Sequence, residues 1–480
     1  MTQTLRIAAP LFDNLEHHLF PGDGDEHGAV ILAGIGESSR GTRFLAREVV
    51  LAKDGEEYVP GKYGYRALSA NFVARVSDRC ARENLCYFAV HCHGGQDSVG
   101  FSEIDLESQR RGYPALLDIT EGGPVGALVF ARNAVAGTVW RRNGVTSLDA
   151  LDVVGPNLLH LYPHPSRSSF VADPAFSRQS LLFGARGQQA LGEAKIGIIG
   201  LGGVGSLVSQ WLAHLGVGHI VGVDYDCLEP SNRSRVVGAS PKDTGEPYVY
   251  SRIRIIRSIG RVLARKKVKV AERVARGASP RIRYDAIDGN VIDASVAALL
   301  TDVDYLFLCA DSMQSRLVFN ALGHQYLIPG VQIGSKVPVE KKSGAVGDVY
   351  LASRRVLPYA GGGCLSCNQL IPADRLRNEM LTPEERQGQG YVQDPSVIAP
   401  SVITLNSLAA AQAVNDFLFG FHGLLEERAH AQDGYLMHYP RERLWQTVEC
   451  ASADSCVHCG LNHASVYGRG NRVELPCKQR

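Results

Sequence analysis

The chain has 480 residues, 45% of them hydrophobic and 21% charged, with a formal net charge of +1. That length predicts two or three domains, and a near-neutral charge gives no whole-chain case for nucleic acid as a partner. No basic segment leads into an apolar run at the start, and no apolar stretch reaches the roughly 18 residues of a membrane span. Neither a secretory leader nor a membrane partner is therefore expected. Eleven cysteines, four of them in two C-x-x-C pairs, favour reduced thiols and metal over disulfides, and so a cytoplasmic protein.

In chain order, strand-like runs occupy AVILAGI (29–35), REVVLA (47–52), CYFAVH (86–91) and GALVFAR (126–132). A helix is expected over 67–84, where Leu68, Phe72, Val73 and Val76 recur at helical spacing. The Pro- and Ser-rich segment 161–176 reads as a linker, with His160 and His164 as solvated histidines at its start. From KIGIIG (195–200) the pattern changes to alternating strands and helices: IVGVD (220–224), RIRYDAI (281–287), YLFLCAD (305–311) and a helix over 409–421. This is the signature of an α/β domain with a parallel sheet. The interval 240–266, with its basic run at 252–257, reads as a crossing loop, a partner-binding insertion or a solvated basic face.

Two stretches carry chemistry. The first is HCHGGQDSVGFSEIDLES (91–108). His91 and His93 alternate with Cys92 at the end of a strand, so both imidazoles project to one side. With Asp105 they make three zinc ligands and leave a fourth position open for water, the arrangement of a catalytic site. The spacing of His91, His93, Ser102 and Asp105 resembles the JAB/JAMM (MPN) metalloprotease family, with Gly94 where that family usually has proline. The resemblance implies Glu26, beside Asp25, as general base and acid. It implies Ser102 as a group that helps to hold the scissile-carbonyl oxyanion.

The second is IGIIGLGGVGSLVSQWLAHLGVGHIVGVDYD (196–226). Gly200, Gly202, Gly203 and Gly205 lie between a strand and a helix, and Asp224 ends the next strand. Glycines let a phosphate approach the backbone, the helix N-terminus favours its charge, and the acid binds a ribose hydroxyl. Alone, this does not separate a dinucleotide dehydrogenase from an ATP enzyme. The flanking residues resemble the ThiF/MoeB/E1 family: Ser177-Arg178-Gln179, then Asp224, Asp226, Ser231, Asn232 and Arg235, then Lys267-Val268, then Asp311 followed by Ser312 where the family has Asn. The resemblance implies that Asp224 holds the ribose and that Asn232, Arg235 and Lys267 neutralise the triphosphate. It further implies that Asp311 holds Mg²⁺ and that Arg178 reaches the partner subunit's site in a homodimer.

Cys364, Cys367, Cys456 and Cys459 supply the four thiolates of a structural zinc. Relatives that form a thioester or persulfide carry a cysteine just before a segment like 397–410, but here GYVQDPS (390–396) has none. Cys477, close to the C-terminus in a tail expected to be mobile, is the candidate thiol by position.

The expected fold is α/β: a JAB/MPN-type domain (1–160), a linker (161–176) and a Rossmann-like E1/ThiF domain (177–480) with a mostly parallel sheet and a four-cysteine zinc site. The cofactors implied are ATP, Mg²⁺ and two Zn²⁺, one catalytic and one structural. The partners implied are the C-terminal tail of a ubiquitin-like protein and an E2-like protein. Such a fusion resembles components of bacterial ubiquitin-like conjugation systems in phage defence. The alternatives are a sulfur-carrier adenylyltransferase of thiamin, molybdopterin or cysteine biosynthesis, and a scaffold that binds a ubiquitin-like tail with both sites degenerate.

Overall fold

The computed structural model describes residues 2–60, 66–165, 173–339, 345–381, 400–426, 435–462 and 464–478. The first half builds β1 (Thr2–Ala8), β2 (Gly28–Ser38), β3 (Gly41–Leu51), the short pair β4 (Tyr58–Pro60) and β5 (Arg66–Leu68), β6 (Cys86–Cys92), β7 (Val125–Ala131), β8 (Ala134–Arg141), β9 (Gly144–Leu148), β10 (Ala150–Val154) and β11 (Leu159–Leu161). Nine of these form one mixed sheet in the order β11-β10-β1-β3-β2-β6-β7-β8-β9.

The continuous apolar run of β2 has a simple cause: both of its faces are covered. Ala29, Ile31, Ala33 and Ile35 pack towards the helix Ala9–Leu19. Val30 and Leu32 pack towards the helices Ala70–Glu83 and Glu103–Ile119. The helix expected over 67–84 starts at Ala70, because Ser69 caps it and residues 66–68 pair as a strand. Its end is Asn84, in the left-handed conformation that asparagine tolerates.

The second half holds β12 (Lys195–Ile199), β13 (His219–Asp224), β14 (Arg283–Asp288), β15 (Tyr305–Leu308), β16 (Gly330–Lys336), β17 (Tyr350–Val356), β18 (Tyr435–Tyr439) and β19 (Leu444–Val448). Their order is β14-β13-β12-β15-β16-β17-β18-β19. Pairing is parallel from β14 to β16 and antiparallel from β16 to β19. The helices Gly203–His214, Lys267–Ala278 and Ile403–Phe421 cover one face, and Met313–Gln325 covers the other. The strand order reverses on either side of β12, which opens a crevice at the carboxyl ends of β12 and β15.

The expected linker carries β11 at its near end and the turn Pro174–Phe176 at its far end; residues 166–172 lie outside the described residues. His160 is not a solvated linker histidine. It sits on β11 and its ring bonds Asp152 at 2.7 Å. Burial is the largest influence and opposes its protonation, but the hydrogen bond to Asp152 and that carboxylate's charge together outweigh it and raise its pKa.

The two halves share an interface built on charge. Arg40 and Arg43 reach Asp304 at 2.9 and 3.0 Å. Arg47, buried on β3, donates to the carbonyls of Tyr467 and Asn462, the latter at 2.8 Å. Residues beyond Cys459 thread back to the first sheet: Gly470 bridges Ile35, and Asn471 N donates to the Ile35 carbonyl at 2.7 Å. Only glycine fits at 470, because its φ is +55° and a Cβ there would fall onto the Ile35 carbonyl.

Candidate active sites

The end of β6 places His91 and His93 on one side of the strand, as the alternation requires. Asp105 enters from the first turn of the helix Glu103–Ile119. His91 Nε2 and His93 Nε2 lie 3.2 Å apart, and each is 3.4 Å from a carboxylate oxygen of Asp105. A zinc–nitrogen bond of about 2.0–2.1 Å gives tetrahedral edges of about 3.3–3.4 Å, so the three donors are spaced for one ion. Burial pushes the Asp105 carboxyl up, but hydrogen bonds from both histidines outweigh it and hold the group well below the usual range.

Glu26 Oε1 stands 4.0 Å from His93 Nε2, next to the donor set but outside it. Burial raises its pKa, partly offset by the charge of the histidines. The Glu26 backbone is fixed by Arg66, whose Nε donates to its carbonyl at 3.1 Å, and by His27, whose N–H donates to Cys92 Sγ at 3.3 Å. The sequence pattern did not single out Arg66, because it acts from forty residues away. Ser102 bonds the third ligand candidate. Its Oγ donates to Asp105 Oδ2 at 2.7 Å and accepts from the Asp105 N–H at 3.2 Å. It caps the helix and orients the aspartate.

In the second half, Gly200 makes the turn after β12 with φ +90°. A Cβ on Gly205 would fall onto the Gly200 carbonyl, and one on Gly203 onto the side-chain amide of Asn406. Gly202 has nothing within 4 Å of a built Cβ. Thus Gly200, Gly203 and Gly205 serve packing, and Gly202 leaves the approach to the helix N-terminus open. Asp224 ties this turn to β13 by accepting from Leu201 N at 2.7 Å and Asp226 N at 2.9 Å. Burial raises its pKa.

Lys267 opens its helix and pairs with Asp226 at 2.6 Å. Arg235 donates to the Ser231 carbonyl at 2.8 Å and lies against the glycine turn. Asn232 is buried, and its Oδ1 accepts from Glu229 N at 3.1 Å, which fixes the loop that carries Arg235. Asp311 follows β15, and Ser312 caps the next helix. Tyr225 is exposed between the two aspartates; burial of its ring, and after it the charges of Asp226 and Asp224, raise its pKa. Glu379 accepts from Met313 N and Gln314 N at 2.9 and 3.1 Å, a carboxylate on the helix N-terminus beside Asp311. Neither Tyr225 nor Glu379 stood out in the sequence. Arg178 is exposed ahead of its helix and makes no ion pair among the described residues.

The four thiols of Cys364, Cys367, Cys456 and Cys459 cluster, with sulfur spacings of 3.7–3.8 Å along three edges. Zinc–sulfur bonds of about 2.3 Å give tetrahedral edges of about 3.8 Å, so the set fits one zinc. Cys477 is a second correction. Its neighbour Lys478 bridges Asp293, the thiol packs against the core, and burial pushes it up to about 11. It is neither mobile nor activated. The segment 390–396 lies outside the described residues.

The model of the ThiF family matches residues 176–458, more than half of the chain, and the protein belongs to that family. The molybdopterin-synthase adenylyltransferase of Escherichia coli (strain K12) is 30% identical over 148 residues, covering 30% of this chain and 52% of that protein. This chain therefore spans about half the length of that relative. The sulfur carrier protein ThiS adenylyltransferase of the same strain is 23% identical over 60% of this chain and 96% of its own length. Among solved structures, E. coli MccB with ATP aligns at 19% identity and a TM-score of 0.43, over 60% of this chain and 75% of that one. The family span begins at 176, so it leaves the histidine site to be judged on its own geometry.

Proposed function

We propose that the protein is a bifunctional enzyme acting on the C-terminal tail of a small ubiquitin-like or sulfur-carrier protein. The second half adenylates the terminal carboxylate with ATP. The first half hydrolyses peptide or isopeptide bonds after that terminus. The observation that carries the first activity is the open turn at Gly202, with Arg235 against Gly203 and Asp224 tied to both Leu201 N and Asp226 N, the latter aspartate paired with Lys267. The names of two relatives, adenylyltransferases of molybdopterin synthase and of the sulfur carrier ThiS, support this reading.

In the adenylation step, a carboxylate oxygen of the carrier attacks the α-phosphorus of ATP and the bond to pyrophosphate breaks. Arg235 and Lys267 offset the charge that opposes this attack. The backbone N–H groups of the glycine turn donate to the phosphates. Asp311 is the carboxylate placed to hold Mg²⁺. With the 390–396 segment lacking cysteine and Cys477 packed away, a thiolate on a partner attacks the carrier's acyl carbon, forming a thioester as the acyl–phosphate bond breaks and AMP leaves, which fits an E2-like protein. Arg178, exposed and without an ion pair among the described residues, fits a role in the site of a second copy.

For the peptidase, His91, His93 and Asp105 would hold a zinc ion, which would supply Lewis-acid chemistry and acidify a water. Glu26 Oε1, beside that donor set, is the group placed to take a proton and hand it to the leaving amine. Ser102 keeps Asp105 in place.

The test is pyrophosphate exchange into ATP, dependent on a carrier protein, together with cleavage of a carrier fusion. Asp311→Ala is expected to suppress exchange at least about a hundredfold and leave cleavage intact. Glu26→Gln is expected to do the reverse while zinc stays bound. Exchange that needs no carrier, or activity that follows NAD rather than ATP, rules out the adenylation reading. Cleavage by Glu26→Gln at the wild-type rate rules out the peptidase.

A further inference from the structure

Between Arg252 and Lys267 the chain carries seven basic residues and no acidic one, in a protein whose overall charge is +1. The helix Arg254–Leu263 lies within this stretch. It meets the body in a close backbone contact at Gly260. A Cβ on Gly245 would fall onto the Gly260 carbonyl, and one on Gly260 would crowd Tyr248 and Val249. The two backbones touch, and most of the helix faces outward. Ile255, Ile259 and Val262 follow one another at helical spacing with exposures of 73%, 48% and 84%, and Leu263 beside them is 53% exposed. Arg254, Arg257 and Arg261 form a separate stripe, all exposed. Tyr248 and Tyr250 flank the helix, also exposed. Among the described residues, Arg252, Arg254 and Arg261 have no acidic partner.

A folded protein rarely leaves a contiguous patch of large aliphatic side chains in water without a use. Exposures as high as those of Val262 and Ile255 describe a protruding ridge rather than a groove. A ridge of short aliphatic chains bordered by such arginines and tyrosines matches a soft, anionic and apolar medium. Such a helix lies in the plane of a bilayer, with its aliphatic stripe among the acyl chains and its cations at the headgroups. We propose that the helix Arg254–Leu263 docks the protein peripherally on anionic lipid membranes. This is a surface contact and not a span, consistent with the absence of a helix long and apolar enough to cross a membrane among the described residues.

The full-length protein is sedimented with vesicles of phosphatidylcholine alone and of two parts phosphatidylcholine to one part phosphatidylglycerol. Wild type is expected to pellet with the anionic vesicles at low salt and to stay in the supernatant with the neutral ones. The double variant Arg254→Gln/Arg261→Gln is expected to lose roughly tenfold or more in binding. Ile255→Glu/Val262→Glu is expected to abolish it. Carrier-dependent pyrophosphate exchange serves as the folding control for both variants; if the glutamate pair does not fold, the glutamine pair carries the test. Wild type remaining in solution with anionic vesicles overturns the proposal, as does undiminished binding by both variants. Lipid-free light scattering closes the remaining route. A wild-type dimer that Ile255→Glu/Val262→Glu converts to monomers assigns the ridge to a second copy of the chain and overturns the membrane reading.

Discussion

Asp243 is the residue that anchors the basic stretch between Arg252 and Lys267. Its side chain is 2% exposed, both carboxylate oxygens take 2.9 Å bonds from Arg273, and Ser240 N donates to it at 3.0 Å. Its backbone carbonyl receives Arg265 N at 2.8 Å, which closes the segment that leads into Lys267. The Arg273 hydrogen bonds, working against burial, hold its carboxyl down at about 2. An unfolded aspartate titrates near 3.9, so the stabilisation is complete above that value and is lost as pH falls through about 2. Asp243→Asn is therefore expected to cost roughly 1–3 kcal/mol at neutral pH. The gap between variant and wild type should close between about pH 5 and 2, read by urea unfolding across that range. A gap that stays constant with pH contradicts the assignment. At this scale the sequence was informative wherever chemistry depends on close spacing: His91 with His93, Ser102 with Asp105, and the glycine turn. It was silent on Glu379, which meets its helix across 66 residues. It was misleading on Cys477, since proximity to a chain end says nothing about burial.

At the scale of elements, the strand–turn–helix around Gly200 separates two uses of glycine. Gly205 meets the Gly200 carbonyl, whereas Gly202 meets nothing. Gly205→Ala is expected to destabilise the fold by roughly 1–3 kcal/mol. Gly202→Ala is expected to stay within about 0.5 kcal/mol of wild type and to weaken ATP binding by roughly tenfold, because its methyl points where a phosphate must approach. Thermal unfolding and ATP titration of the two variants distinguish these effects; equal loss of stability in both sinks the distinction. The four apolar strand runs and the α/β alternation after 195 were legible because burial on both faces leaves continuous apolar sequence. The strand Thr2–Ala8 was not, because its partner β10 lies far along the chain and its own pattern is mixed. The hairpins of β7–β9 were missed although Asn143-Gly144 is a turn signal. The sequence leaves the basic run at 252–257 open between a solvated face and a partner-binding insertion, and its aliphatic stripe emerges only once the helix and its contact surface are known.

The whole molecule is closed by a segment late in the chain. Arg47 is buried against the carbonyls of Tyr467 and Asn462, which lie just past the cluster of four cysteines. Arg47→Ala removes the donor from buried acceptors and leaves a cavity. It is expected to cost roughly 3–5 kcal/mol and to split the thermal unfolding of the full chain into two transitions. A single unshifted transition in calorimetry contradicts this coupling. The cysteine pairs were visible in the sequence, but nothing there showed that the segment after them returns to β2 and β3. The return has a consequence for how the protein is made. The partners of Arg47 emerge from the ribosome 420 residues after it. At about 5–20 residues per second that is a delay of roughly 20–80 seconds. Throughout it, the first-made sheet carries an uncapped arginine and an open edge of contacts, so the sheet that bears the histidine site becomes fully framed only after those later residues have been made.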